Sequence, residues 1–309
     1  MPLHLARLSR RSFLAQGAVA AAGLTTAGLA TLPHVFGAER QANPNRLALL
    51  SDTHIPSAPD VTARGTNMTS NLKQVVREVT ALQEKPAAVI VNGDCAYLKG
   101  LPADYANFSQ CIAPLSQSGL PVHITMGNHD DRTPLLGALK LQKPERPLLE
   151  SKHVSIVEMP HANWFLLDSL TKTDVVTGEL GADQRAWLAK SLNSRSDKPA
   201  LVMAHHNPQF EPPAAGQAWG GIRDTAEFME LLGSFKHVKA FIFGHSHDWS
   251  IKKRGSLHLV NLPPVAYVFT AGKPNGWVLA EVAESRLTLT LHSIDPRHRQ
   301  HGQRVELAW

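Results

Sequence analysis

Five apolar runs in this 309-residue chain end in residues that can bind metal ions: Asp52-Thr53-His54 after RLALLS, Asn92-Gly93-Asp94 after AAVIV, Gly127-Asn128-His129-Asp130 after PVHITM, His205-His206 after ALVMA, and Gly244-His245-Ser246-His247 after FIF. Imidazole is polar and close to half-charged near neutral pH, so it is a poor way to finish a buried strand. A single Asp or His at such a place is usually a capping or turn residue. Five in order are hard to reconcile with accident, and together they point to a metal site. In Asp-x-His and His-x-His the two side chains stand two residues apart, so an extended backbone would project both to one side. Glycines ahead of Asp94, Asn128 and His245 allow sharp turns and close backbone approach.

The elements that position these residues follow from hydrophobic periodicity. The spacing predicts a strand over RLALLSDTH, a helix over 69–83, a strand over AAVIVNGD, a helix over 105–118 and a strand over PVHITMGNHD. Strand–helix–strand alternation argues for an α/β layered domain. From residue 153 the texture changes. HVSIVEMPHANWFLLDS reads as two antiparallel strands, followed by a helix over 183–192, a strand ALVMAHHNP, a helix over 225–232 and a strand VKAFIFGHSH. Two or three strands close the chain. A second sheet in the later half would give a two-sheet β-sandwich flanked by helices. In open α/β sheets ligands collect at the carboxyl ends of strands, which is where the metal-capable residues fall.

The ordered set Asp-x-His, Gly-Asp, Gly-Asn-His-Asp, His and Gly-His-x-His, spanning residues 46–250, resembles the calcineurin-like metallophosphoesterase superfamily. The resemblance implies a four-layer α/β/β/α fold and two metal ions. Asp94 would bridge them; Asp52, His54 and His247 would complete one shell, and Asn128, His205 and His245 the other. The family pattern favours His205 over His206, leaving His206 for substrate or an outer contact. Carboxylate and amide oxygens with imidazoles and no thiolate suit iron, manganese or zinc. The implied activity is hydrolysis of small-molecule phosphodiesters or phosphomonoesters by a metal-bridging hydroxide. His129 would serve as general acid or stabilise developing charge on the leaving group, with Asp130 orienting it or holding it protonated. Where many members have a second acid after Gly-Asp, this chain has Tyr97, which either hydrogen-bonds into the site or packs. The His-His-Asn-Pro stretch at 205–208 adds a weaker likeness to cyclic-nucleotide and glycerophosphodiester phosphodiesterases. Asp168 and His161, near strand ends without a motif, read as structural.

The N-terminal residues 1–37 hold Arg7, Arg10 and Arg11, no acid, and a soft apolar run. They resemble a twin-arginine export signal, with cleavage after Gly37 and a periplasmic or extracellular destination. Setting those three arginines aside leaves 28 Lys+Arg against 26 Asp+Glu out of the chain's 31 and 26. That balance provides no basic track for a nuclease, which is the alternative on the same metal core. A non-catalytic binding protein would have lost ligands that this chain keeps. Cys95 and Cys111 read as small buried hydrophobes. The expected organisation is a signal over 1–37, a phosphoesterase domain over 46–295 and a polar tail over 296–309. Two Pro/Gly-rich segments, 211–222 and 263–277, carry Trp219, Tyr267, Phe269 and Trp277 and form either a pocket rim or surface loops.

Overall fold

The computed structural model describes residues 42–139 and 148–309, so the expected export signal lies outside the described residues. Strand β1 (Asn43–Ser51) explains the layering. Its Leu47 and Leu49 belong to one apolar cluster and its Ala48 and Leu50 to another, all buried. A strand covered on both faces needs an apolar run rather than alternation, and RLALL supplies one.

A small hairpin of β2 (Thr62–Ala63) and β3 (Thr66–Asn67) follows. It leads into α1 (Met68–Ala81), whose first turn is capped by the Asn67 side chain accepting from Ser70 N. Next come β4 (Pro86–Asn92), α2 (Pro102–Gln117), β5 (Val122–Thr125) and α3 (Arg132–Ala138). The second half runs β6 (Ser155–Glu158), β7 (Asn163–Leu166), α4 (Ala182–Asn193), β8 (Ala200–Met203), α5 (Thr225–Ser234) and β9 (Val238–Phe243). It closes with β10 (Ser250–Arg254), β11 (Leu257–Asn261), β12 (Gly276–Ala283), β13 (Arg286–Ser293) and β14 (Arg304–Ala308).

Two six-stranded sheets result, with orders β14-β13-β12-β1-β4-β5 and β10-β11-β9-β8-β7-β6. Leu49, Ile90, Leu166, Met203, Ile242 and Val278 pack between the sheets. Helices α1 and α2 cover the outer face of the first sheet through Leu72, Val76, Phe108 and Ile112. Helices α4 and α5 cover the second through Leu188, Leu192, Phe228 and Leu232. This is the expected four-layer α/β/β/α sandwich. Its central layer is the most sensitive: truncating a fully buried leucine such as Leu49 costs about 2–5 kcal/mol.

The division of strands differs from one sheet per half. β12, β13 and β14 return to the first sheet, with β12 antiparallel to β1 (Leu49 opposite Val278). The stretch 296–309, set apart on composition, includes β14 at the edge of that sheet. Of its five positions only Leu307 is buried and Val305 half-buried, so its apolar signal is weak.

Register brings the chemistry together. Ser51 is level with Asn92, and Asn92 with Thr125, so three parallel strands end on one line. In the second sheet Met203 is level with Ile242. The two lines are stitched to each other: Asn92 Nδ2 donates to Ala204 O at 3.2 Å, and His205 Nδ1 meets Asn92 O at 2.9 Å.

Candidate metal centre

Just past these strand ends the backbone turns left-handed. Asp52, His54, Asp94, His245 and His247 have φ between 45° and 66°. For residues with a Cβ this conformation is uncommon and costs about 1–3 kcal/mol each, and such strain concentrates at functional sites. The expectation that Asp52/His54 and His245/His247 project together from extended backbone is therefore corrected. Each pair converges because both members are left-handed around an intervening residue. Close approach is also required at Gly244, where a Cβ would lie 2.1 Å from Ser51 Oγ and 2.4 Å from Asp52 Oδ2.

Three imidazoles are aimed by backbone carbonyls. His54 Nδ1 donates to Tyr97 O (3.1 Å), His205 Nδ1 to Asn92 O (2.9 Å) and His247 Nδ1 to Tyr267 O (2.5 Å). A carbonyl only accepts, so each Nδ1 carries a proton and each Nε2 is left to face inward, the usual outer-shell device for a metal-binding histidine. His245 is turned the other way, its Nε2 against Gly220 O at 3.0 Å. Tyr97 thus serves through its main chain, while its ring packs against the first-sheet core.

The carboxylates sit among these rings. Asp94 Oδ2 lies 3.5 Å from His54 Nε2 and 3.3 Å from His205 Nε2, between the two halves of the cluster. Asp94 Oδ1 accepts from His129 N at 2.9 Å. Asp52 Oδ1 is 3.4 Å from His247 Nε2, and the Asp52 carboxylate accepts from Ser51 Oγ and His245 N. Ligand atoms within 4.8 Å of one another form three groups: Asp52 with His54 and His247; His54 with Asp94 and His129; Asp94 with His205 and His245. Asp94 is common to the last two.

The electrostatics suit a cation. Burial lowers His54 and His247 to about 4, and His245 to about 3, so these rings are neutral and able to donate lone pairs. Burial would lower His205 too, but the Asp94 and Asp52 carboxylates override it and push it up to about 10. Asp94 is the counterpart: burial raises it, and the charge and hydrogen bond of His205 hold it well below the carboxylate range. Two features make the fit to a metal specific. His54 Nε2 and His247 Nε2 face each other at 3.0 Å, two lone-pair nitrogens with no proton of their own to share. Asn128 Oδ1 is buried without a hydrogen-bond partner among the described residues. A divalent ion answers both, and unpaired buried polar groups otherwise cost about 1–3 kcal/mol each.

His206 is fully buried and lies beside the grouped ligand atoms. Its Nδ1 meets Ser169 Oγ at 2.7 Å, and its ring packs 4.6 Å from that of His245. His129 is at the open side. Its Nδ1 donates to Leu98 O at 2.6 Å, and Asp174 Oδ1 is 3.7 Å away. Asp130 does something other than the expected contact with His129. Its fully buried carboxylate accepts from Cys95 N, Ala96 N, Gly127 N and Tyr105 Oη, tying the second and third strand ends together from behind. Burial next to Asp94 raises it to about 6. Neighbouring carboxylates repel, so Asp130 turns to the row of N–H donors rather than into the cleft.

Sequence reasoning missed Asp174, Tyr105, and the carbonyls of Tyr97, Asn92 and Tyr267. Carbonyls carry no sequence signal, and Asp174 sits in a loop without a motif. Of the four aromatics in the Pro/Gly-rich segments, Trp277 is core, whereas Tyr267 and Phe269 stack on His54 and His247. Trp219 is next to Gly220, the residue that meets His245. Asp168 is structural as expected, fully buried and forked by Arg132. Cys95 and Cys111 are buried and free.

Buried imidazoles and carboxylates converging where two stacked sheets end define a metal-dependent hydrolase centre. The family model for calcineurin-like phosphoesterases matches residues 45–249, and this chain belongs to that family. It is a metallophosphoesterase with a divalent metal site. Among its relatives is the 3',5'-cyclic adenosine monophosphate phosphodiesterase CpdA of Pseudomonas aeruginosa, 28% identical over 249 residues, covering 80% of this chain and 85% of the relative. The glycerophosphodiester phosphodiesterase GpdQ of Enterobacter lignolyticus is 26% identical over 229 residues, covering 72% and 77%. The fold is shared with a dimetal phosphatase of Danio rerio (TM-score 0.64, 16% identity, 85% and 98% covered).

Proposed function

We propose that the protein is a dinuclear phosphodiesterase of small molecules, with 3',5'-cyclic nucleotides and glycerophosphodiesters as the leading substrate classes. The observation that carries the dinuclear reading is the position of Asp94 Oδ2 between His54 and His205, each aimed by a carbonyl. Asp52, His54 and His247 would hold one ion and Asn128, His205 and His245 the other, with Asp94 shared. Oxygen and imidazole donors without thiolate favour iron, manganese or zinc. When bound, the ions supply Lewis-acid polarisation of the phosphoryl oxygens and an activated water.

The remaining work belongs to the protein's own groups. His129 stands at the open side with its Nδ1–H fixed on Leu98 O, so in its imidazolium form the ring gives its Nε2 proton to the departing alkoxide and is left neutral. Asp174 supplies a counter-charge to that ring. Asp130 holds the Gly127-Asn128-His129 turn against the Asp94 turn and so sets the distance between ligand and acid. The substrate preference is supported by the names of the relatives and by the aromatic rim at Tyr267 and Phe269.

The test is elemental analysis together with a panel of 3',5'-cyclic AMP, glycerophosphocholine, bis-p-nitrophenyl phosphate and p-nitrophenyl phosphate, with manganese, iron or zinc supplied. Two metals per chain and faster diester than monoester turnover are expected. Monoester preference would overturn the diesterase reading, and inertness to all four would favour a binding protein.

We also infer export through the twin-arginine route, supported by Arg10-Arg11 ahead of an apolar run. Arg10→Lys with Arg11→Lys should abolish export of a fused reporter; continued export would remove this reading.

A further inference from the structure

We propose that Arg64 and Phe269 are paired jaws for the organic group of the phosphoester, and that they select a planar aromatic or heteroaromatic group over an alkyl one. The inference rests on the phosphodiesterase reading and adds the residues that choose among diesters.

Phe269 is 51% exposed, although its ring stacks on His247 at 4.0 Å between centroids and 14° between planes. Tyr267 stacks in the same way on His54, at 5.3 Å and 21°. An aromatic slab therefore begins at two imidazoles of the metal cluster and runs out to solvent. Arg64 lies over its outer part, with Cζ 4.9 Å from the Phe269 centroid and 5.8 Å from that of Tyr267.

Arg64 makes no ion pair among the described residues, whereas Arg46, Arg132, Arg185, Arg195 and Arg223 each reach a carboxylate. Arg254, which lies over Phe210, is the comparable case away from the metal cluster. The five N–H donors of Arg64 rest on ring faces alone. Lys273, in the loop that bears Phe269, is taken up by Asp248, whereas Arg64 has no carboxylate partner among the described residues.

Both jaws are mounted rigidly. Arg64 (φ 51°) and Gly65 (φ 75°) form the two-residue tip of the β2–β3 hairpin, the left-handed pair that matches strand twist. That hairpin ends in Asn67, the cap of α1. The loop bearing Phe269 is tied to the same helix, because Asn71 Nδ2 donates to Val265 O and Ala266 O. It is also tied to the metal turn by Ala266 N donating to Asp52 O. Only the Arg64 side chain has to move to open the slot.

The chemistry selects the occupant. A planar ring entering between guanidinium and Phe269 needs about 7 Å for two stacking layers. It replaces one cation–π contact with a guanidinium stack on one face and an aromatic stack on the other. A nucleobase offers the guanidinium a flat π face to stack on, which a choline or glycerol lacks. An alkyl group would break the resting contact with no comparable return.

The experiment uses the metal-loaded full chain with 3',5'-cyclic AMP and glycerophosphocholine as probes, comparing wild type, Arg64→Ala, Arg64→Lys, Phe269→Ala and Phe269→Tyr. Stacking is made equally in the ground and transition states, so KM for cyclic AMP should rise about tenfold in each Ala variant with kcat within about twofold. KM for glycerophosphocholine should move several-fold less. Phe269→Tyr should restore cyclic AMP, and Arg64→Lys only in part. Saturation transfer from protein to the adenine protons of 5'-AMP, read by NMR, should fall in Phe269→Ala whether or not turnover is measured. Equal KM shifts for both diesters, or none, with undiminished transfer, would overturn the jaws while leaving the phosphodiesterase reading intact. A wild type inert to both diesters would overturn both.

Discussion

Gly127 and Asp94 touch so closely that a Cβ on Gly127 would lie 2.1 Å from Asp94 Oδ1 and 2.3 Å from Asp94 N. Gly127→Ala would therefore push directly on the carboxylate shared between the two halves of the cluster. The expected outcome is loss of most bound metal, read by elemental analysis, with the far-ultraviolet circular dichroism of the wild type retained. Full metal content in this variant would show that Asp94 tolerates displacement and is not the shared ligand.

His129→Ala should leave metal content intact, since its ring is at the open side and its bond to Asp94 is made by the main-chain N, which the variant keeps. Turnover of diesters with alkyl leaving groups should fall about 10²–10⁴-fold, the usual contribution of a positioned acid. With p-nitrophenolate as leaving group, which departs without a proton, the loss should be far smaller. A uniform loss across leaving groups would remove His129 as the proton donor.

Asp130 accepts from three backbone N–H groups and the Tyr105 hydroxyl, all buried. Asp130→Ala leaves the three N–H groups without partners and should cost about 3 kcal/mol or more in chemical denaturation. Tyr105→Phe removes one donor to Asp130 and the acceptor of Asp131 N, and should cost less, about 1–2 kcal/mol. A near-neutral Asp130→Ala that still lost turnover would return Asp130 to a direct role beside His129.

Stability should fall as pH drops below about 6.5. Burial, then the neighbouring His301, lowers His292, whose ring stacks on Trp277 at 4.2 Å; burial likewise lowers His153. Depressed folded values mean that the unfolded chain takes up protons that the folded chain refuses. The stabilisation is thus present above the unfolded value and is lost as pH falls through it. His292→Asn should flatten part of the decline in denaturant midpoint between pH 7 and pH 5. An unchanged slope would locate the acid sensitivity elsewhere.

The parts of this molecule written in side-chain type were legible in the sequence. The RLALL and AFIF runs announce strands covered on both faces, and Asp52, His54, Asp94, Asn128, His205, His245 and His247 announce the cluster at their ends. What the sequence hides is written in the main chain. The left-handed turns at Asp52 and His247 carry no glycine to mark them, and the carbonyls that aim His54 and His247 belong to Tyr97 and Tyr267, whose rings suggested other roles. Asp130 shows the limit from the other side: a motif position announces a carboxylate but not which way it turns. The return of β12 to the first sheet was equally hidden, because pairing partners 235 residues apart, such as Arg46 and Glu281, leave no local pattern.

That return has a consequence for biosynthesis. Strand β1 carries Asp52 and leaves the ribosome early, yet one of its two edges stays bare until β12 emerges, and β12 itself waits for β13 and β14. Until β12 is released, a nascent chain holding Asp52 through His247 still presents a strand, apolar over Leu47–Leu50, with one edge unpaired. The hydrolytic centre is thus complete in composition long before it is complete in shape, and a chain stopped after residue 249 would be expected to aggregate rather than fold.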